Sequence, residues 1–297
     1  MSSSLSSLLQ RFRSAFSASA QLLAPYSAAC CMCGKSRNDT RNANSPHPPK
    51  LTAQLRQSLC EQCLSAIPWL TRIMCPTCGR GIHCDDCVRS PHRSFVCNRS
   101  AVQYSQSMKT LLAQYKYRGD EQLAPLLAHM LLPAFETMTA ELAKRQSATA
   151  SRGSHKKIQY ADYWDVITYV PISSERAMDR GFNQAEQLAS YLAQRYRLPL
   201  MHLLVRERHT EKQSFKTRSE RMRDTRSLFN VNDIELSKLQ TDAVHPVRNA
   251  HLTHTAIRVL LIDDIYTTGS TSEACSQTLH QYAAKPLEIY VLTWARS

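Results

Sequence analysis

Short apolar runs alternate with helical patterns along the C-terminal two thirds of this chain. Residues 101–104, 165–170, 228–231, 258–262 and 287–292 are strand-length runs rich in aliphatic and β-branched side chains. Between them, residues 108–115, 121–145, 184–195 and 270–284 space their apolar side chains at helical intervals. Pro125 suits a first helical turn, whereas Pro133 predicts a kink or a split in the 121–145 helix. Strands alternating with helices predict an α/β fold with a mostly parallel sheet flanked by helices. Residues 146–157 read as loop, 205–226 as a polar, basic stretch, and 235–255 as an aperiodic insertion. At the N-terminus, Leu5, Leu8, Leu9, Phe12 and Phe16 follow helical spacing. Serines, arginines and the lack of acidic residues through residue 37 also give that segment a transit-peptide flavour, but a short amphipathic helix accounts for it better. No run of 18 apolar residues occurs, so nothing in the sequence predicts a membrane span. The expected organisation is an N-terminal amphipathic segment (1–25), a cysteine-rich unit (26–98) and an α/β domain (99–297).

The cysteines change that picture first. Ten of the 11 lie between Cys30 and Cys97, and eight form four C-x-x-C pairs: Cys30/Cys33, Cys60/Cys63, Cys75/Cys78 and Cys84/Cys87. This spacing lets two thiolates from one tight turn reach a single metal, and glycine follows two of the pairs at Gly34 and Gly79. Two pairs complete one four-cysteine zinc site, so the four pairs suffice for one or two structural zinc ions. A disulfide framework would require export, and no signal peptide with a proper apolar stretch is present. Iron–sulfur ligation lacks its tighter three-cysteine clustering. Which pairs combine stays open, because spacers of 26, 11 and 5 residues fit three pairings. The short last spacer favours a cross-braced or nested arrangement. Cys31 and Cys97 fall outside the pattern, and His83 is a candidate substitute ligand. Closed thiolate sites stabilise structure rather than catalyse.

The most informative stretch runs from Val259 to Thr271. An apolar run ends in Asp263 and Asp264, breaks into Thr267, Thr268, Gly269, Ser270 and Thr271, and continues as a helix. Hydroxyls and free backbone N–H groups at a helix start cradle phosphate. Carboxylates beside such a cradle take sugar hydroxyls or a hard divalent cation. Together they suit a phosphorylated sugar. This stretch resembles the phosphoribosyl pyrophosphate (PRPP) motif of type I phosphoribosyltransferases. The resemblance implies that Asp263 and Asp264 contact the ribose and act as the catalytic acids, and that residues 267–271 hold the 5′-phosphate. Tyr266 stands where that motif prefers an aliphatic residue and is expected to pack beneath the loop.

A second strand-to-helix loop, Pro171-Ile172-Ser173, precedes Arg176, Arg180, Gly181, Asn183 and Gln184. Arginine forks bind phosphate oxygens, and glycine permits close backbone approach. In type I phosphoribosyltransferases a loop at this place takes the pyrophosphate, so Pro171, Ile172, Ser173, Arg176 and Arg180 join the expected ligand contacts. From 212 to 226, six basic residues (Lys212, Lys216, Arg218, Arg221, Arg223, Arg226) face two acidic ones (Glu220, Asp224). Such a loop serves either as a catalytic lid or as a track for nucleic acid, with Tyr115, Tyr117, Phe182 and Phe215 as stacking candidates. The 297-residue chain carries a formal charge of +13, which favours polyanionic partners.

The order of these pieces resembles the ComF family: paired cysteine knuckles, a K-Y-x-G turn at Lys116, R-G-F-N-Q at Arg180, R-x-R-x-T-x-x-Q at Arg206, and D-D-x-x-T-T-G-x-T at Asp263. That resemblance implies a type I phosphoribosyltransferase-like fold, structural zinc, PRPP with magnesium, a cytoplasmic setting and a role in natural competence. Its DNA-facing partners would be single-stranded DNA and a competence helicase. Three functions follow: a PRPP-dependent transferase, a non-catalytic DNA-uptake factor, and a zinc-stabilised interaction module on an inactive enzyme fold.

Overall fold

The computed structural model describes residues 29–36, 51–117, 120–149, 158–206, 228–241 and 256–297. The N-terminal segment 1–25, the basic stretch 212–226 with Phe215, and residues 242–255 of the expected insertion lie outside them. In chain order the elements are α1 (Ala53–Ser58), α2 (Glu61–Ser65), α3 (Asp85–Arg89), β1 (Cys97–Gln103), α4 (Gln106–Tyr117), α5 (Ala124–Thr149), β2 (Val166–Tyr169), α6 (Ser174–Arg180), α7 (Gln184–Tyr196), β3 (Leu204–Arg206), β4 (Phe229–Val231), α8 (Asp233–Gln240), β5 (Ile257–Tyr266), α9 (Ser270–Tyr282) and β6 (Leu287–Arg296).

Four strands form one parallel sheet in the order β1-β6-β5-β2, and β3 and β4 form a separate antiparallel pair. Beyond β2, Leu200 bridges Ile167 in parallel. The chain therefore leaves β2 outward to Leu200, returns on β2's other side as β5, and moves away again through α9 to β6. The order reverses between β2 and β5, and a crevice at the carboxyl ends of the strands is where open α/β sheets bind ligands.

Both faces of the sheet are covered, so the strands are apolar throughout, and their side chains alternate between two cores. Leu260, Ile262, Tyr290, Leu292 and Trp294 pack with α5 and α7 on one face. Val259, Leu261, Ile289 and Val291 pack with α9, α8 and the β3–β4 pair on the other. Leu260, Leu261 and Val291 are fully buried, and each such side chain contributes about 1.5–3 kcal/mol of transfer free energy.

Several elements differ from the sequence reading. β1 begins at Cys97, ahead of the apolar run, because the polar Asn98 and Ser100 are satisfied inside: Asn98 Nδ2 donates to the Cys78 carbonyl and to Ser100 Oγ at 3.0 Å each. α5 passes through Pro133 without splitting; packing against β1 and α7 outweighs the one lost backbone bond. It also runs to Thr149, into the stretch expected to be loop. α8 forms where no periodicity was evident, capped by Asn232, whose side chain accepts the Glu235 N–H, and anchored by buried Leu236 and Leu239. Among the described residues, no helix is long and apolar enough to cross a membrane.

Candidate functional site

Strand β5 continues past the acidic pair to Tyr266, still paired with β6, Asp263 opposite Thr293 and Tyr266 opposite Arg296. Its partner β2 stops at Tyr169, opposite Ile262. The acids therefore sit not at a strand tip but along one open edge, where β5 outruns β2. Strand alternation sends the two neighbours to opposite faces. Asp263 continues the Val259–Leu261 row, among Arg206 of β3 and Cys275 of α9. Asp264 continues the Leu260–Ile262 row and meets Lys116 of α4, whose Nζ lies 2.5 Å from Oδ2.

The electrostatics differ accordingly. Burial and the adjacent Asp264 carboxylate push the Asp263 carboxyl from its ordinary 3.8 up to about 7, against the pull of the Asp264 backbone N–H, Lys116 and Arg206. That N–H donates to Asp263 Oδ1 at 2.8 Å. Burial and the nearby Arg176 lower the Arg206 guanidinium, whereas Cys275 and Asp263 act the other way. Burial, then Asp263, holds the Cys275 thiol well above its usual range. The region thus gathers two carboxylates, a lysine and two arginines from four segments, β5, α4, β3 and α6. The sequence places Lys116 in a motif turn and Arg206 at the head of the 205–226 stretch, lid or nucleic-acid track, but neither among the expected ligand contacts. The K-Y-x-G turn was the available signal for Lys116.

After β5, the loop turns on Gly269, whose φ of +80° favours glycine. A Cβ there would clash with the Tyr266 hydroxyl. Tyr266 is buried and floors the loop, as the sequence reading expects. Thr267 and Thr268 are exposed, and Ser270 and Thr271 are part-exposed. Thr268 Oγ1 and Ser270 Oγ lie 3.1 Å apart, and the loop enters α9 at Ser270. Hydroxyls and first-turn amides therefore share one exposed turn beside the acids.

The second loop follows β2 directly. Pro171 is buried, Ile172 and Ser173 are part-exposed, and Ser173 caps α6 by accepting the Arg176 N–H. Gly181, with φ +79°, ends α6 in the left-handed region. Asn183 caps α7 and donates to the Val170 carbonyl at 3.1 Å, pinning the Pro171 turn. Arg180 donates to Gln184 Oε1 at 2.9 Å, while Arg176 is exposed near Arg206. Most of the R-G-F-N-Q motif therefore shapes the loop. Tyr115 is fully buried, with its Oη donating to Gln187 Oε1 and its ring 5.2 Å from Phe182, so it packs helices and offers no stacking platform. The side chain of Tyr117 lies outside the described residues.

The cysteines converge in two groups, Cys30/Cys33/Cys60/Cys63 and Cys75/Cys78/Cys84/Cys87, with sulfurs within 4.8 Å of one another in each. Pairing is sequential, not cross-braced or nested. Each group joins a glycine-turned knuckle (Gly34 φ +71°, Gly79 φ +72°) to a helix start, because Cys60 and Cys84 are the N-cap residues of α2 and α3. The five-residue spacer suffices because the second helix begins at its own cysteine. The Cys33–Cys60 and Cys78–Cys84 sulfurs lie 3.8 and 3.5 Å apart; tetrahedral zinc with ~2.3 Å bonds needs about 3.8 Å. Burial and neighbouring thiols drive Cys63 and Cys87 upward, a repulsion that a cation relieves. Two zinc ions fit. His83 lies outside both groups and faces Asp85 at 3.3 Å. Cys97 is buried in β1 and Cys31 is exposed.

A cavity of about 230 Å³ between Trp69, Leu70, Ile73, Ala101 and Pro133 lies on the outer side of β1 and shares no residue with the acidic crevice.

No family model matches the chain. Among curated proteins, it is 30% identical over 232 residues to competence protein ComFC of Bacillus subtilis, covering 75% of this chain and 78% of that one. It is 28% identical over 238 residues to ComFC of Streptococcus pneumoniae, covering 79% and 86%. It is 25% identical over 250 residues to DNA utilization protein YhgH of Salmonella typhimurium, covering 79% and 89%.

Proposed function

Since the chain belongs to the ComF family, we propose that it serves competence and DNA uptake by binding PRPP with magnesium in the crevice between β2 and β5. The names of its relatives support the coarser role in competence and DNA utilization. The observation that carries the ligand reading is the reversal of strand order between β2 and β5, with the acidic pair and the hydroxyl loop on one side and the Pro171 turn on the other.

In this reading Asp263 and Asp264 orient the ribose hydroxyls, and Thr267, Thr268, Gly269, Ser270 and Thr271 hold the 5′-phosphate. Pro171, Ile172 and Ser173 form the wall nearest the pyrophosphate, with Arg176 and Arg180 as its cationic contacts. Lys116 neutralises Asp264, and a ribose diol takes over part of that contact. Magnesium bound with PRPP would supply charge neutralisation at the pyrophosphate, beside Arg176 and Arg180. If transfer occurs, a nitrogen nucleophile forms the bond to the anomeric carbon, the bond to pyrophosphate breaks, and the nitrogen's proton leaves to solvent. Positioning and electrostatics would supply most of the rate.

Calorimetric titration with PRPP, ribose 5-phosphate and pyrophosphate, each with magnesium, tests this reading. PRPP should bind at least tenfold tighter than either fragment. Equal weak binding of all three would reduce the crevice to an unspecific anion site.

The chain's charge of +13 favours a DNA-facing role beside the ligand site. Single-stranded oligonucleotide should then bind with log affinity falling linearly with log salt; a flat salt response would remove backbone contacts from the account.

A further inference from the structure

We infer that Arg296 is a positioning residue that couples the metal of the second cysteine group to the hydroxyl loop beside the acidic pair. Arg296 stands near the end of β6 and is 5% exposed. Its Nη1 donates to the Tyr266 and Thr267 carbonyls at 3.3 and 2.8 Å. Its Nη2 reaches Cys78 Sγ at 3.6 Å, and its Cζ stacks 4.7 Å from the centre of the Tyr266 ring. One guanidinium thus touches a metal-ligating sulfur, the carbonyls that open the loop, and the ring under Gly269.

The chemistry gives each contact a direction. Four thiolates around a divalent cation carry a formal charge of about −2, which a guanidinium N–H offsets, and hydrogen bonds to ligand sulfur tune and orient such sites. Nη1 of the same planar group fixes two successive carbonyls. That sets the peptide planes from which the following amides point outward. Loss of the metal removes what holds Cys78 Sγ in place against Nη2, loosens that contact and frees the guanidinium. A second link runs in parallel from the segment after α3. Glu273 in the first turn of α9 accepts from Ser94 N and Oγ at 3.0 and 2.8 Å, and Phe95 meets Tyr266 edge-on at 6.2 Å. Among the described residues the first cysteine group shows no counterpart of this arrangement, and Cys30 packs in the core on the opposite face of the sheet.

The ligand half of this inference rests on the PRPP reading; the metal half does not. Hydrogen exchange on the zinc-loaded full chain, without ligand, tests the metal half. Arg296→Lys keeps the charge but loses the fork, and Arg296→Gln loses both. Each should speed amide exchange across residues 267–271 at least tenfold while exchange in α7 stays unchanged. Stripping zinc from the unaltered chain with a mild chelator should reproduce the effect, which covers the case where a variant does not fold. Loop exchange that ignores both the variants and the chelator would overturn the coupling.

Linkage supplies the second readout, because coupling between two sites is reciprocal. PRPP with magnesium should slow release of one of the two zinc ions at least threefold in the parent and leave both unaffected in Arg296→Lys. Equal protection in parent and variant would show that Arg296 does not carry the coupling. A parent that binds no PRPP, yet shows the exchange effect, would overturn the ligand assignment and leave the metal–loop link standing.

Discussion

The two cysteine groups share one design and sit in different places. Each pairs a glycine knuckle with a helix start, yet the first has an exposed Cys33 and part-exposed Cys60 and Cys63, whereas all four thiols of the second are buried. The first belongs to the core shared with α5 and α7; the second belongs to the core shared with α9 and Tyr266. The first group's link to the body is local, through the α1 N-cap: Thr52 Oγ1 lies 2.8 Å from His129 Nδ1, and Tyr191 Oη lies 2.5 Å from Nε2. A repeated cysteine unit can therefore act as an outer staple in one copy and as part of the foundation beneath the Tyr266–Thr271 loop in the other. What decides its role is the face of the sheet it lands on.

The largest expected effect separates the copies. Cys84→Ser should lower the unfolding midpoint by more than ~10 °C and abolish PRPP binding, because a structural zinc site contributes several kcal/mol or more. Cys33→Ser should release one zinc with a smaller loss of stability and leave PRPP binding within about threefold of the parent. Metal analysis with thermal melts and calorimetry reads both. Equal damage from the two variants would erase the distinction.

A middle-sized effect probes the staple itself. Burial and Arg195 lower the His129 pKa, so the neutral ring serves Thr52 and Tyr191 at neutral pH. His129→Ala should cost about 2 kcal/mol by leaving those hydroxyls short of a partner, and PRPP affinity should hold. Chemical denaturation measures the first and calorimetry the second. A loss of PRPP binding would mean that the first copy also supports the site.

The smallest effect is a pH signature. The raised pKa of Asp263 means the folded chain keeps a proton that the unfolded chain releases near 3.8. Stability from this group is therefore full below that value and is lost as pH rises through about 7. Asp263→Asn, in buffer without divalent cations, should flatten this slope and stabilise the chain at pH 8 by about 1–2 kcal/mol. An unchanged slope would place the titration elsewhere.

Much of this was legible in the sequence, for identifiable reasons. The buried runs of β5 and β6 announced themselves because a sheet covered on both faces leaves no polar alternation to blur the reading. The hydroxyl turn was legible because Gly269 is needed where Tyr266 leaves no room for a Cβ. Pairing of the cysteines was not, because it depends on which thiols sit at helix starts. Gly34 and Gly79 marked the knuckles, yet five-residue helices such as α2 and α3 leave almost no periodic signal. The face assigned to each acid was hidden for a related reason: β5 outruns β2, and that length difference is a property of the sheet. The roles of Lys116, Arg206 and Arg296 emerged only in three dimensions, since they come from α4, β3 and β6.

The central claim is that the crevice between β2 and β5 holds a phosphoribosyl ligand through its acidic pair. Titrating PRPP and magnesium into the parent and into Asp263→Asn/Asp264→Asn tests it most directly. The account predicts saturable one-to-one binding in the parent and at least a hundredfold loss in a double variant that melts no lower. No binding by the parent, or equal affinity in both proteins, would contradict it.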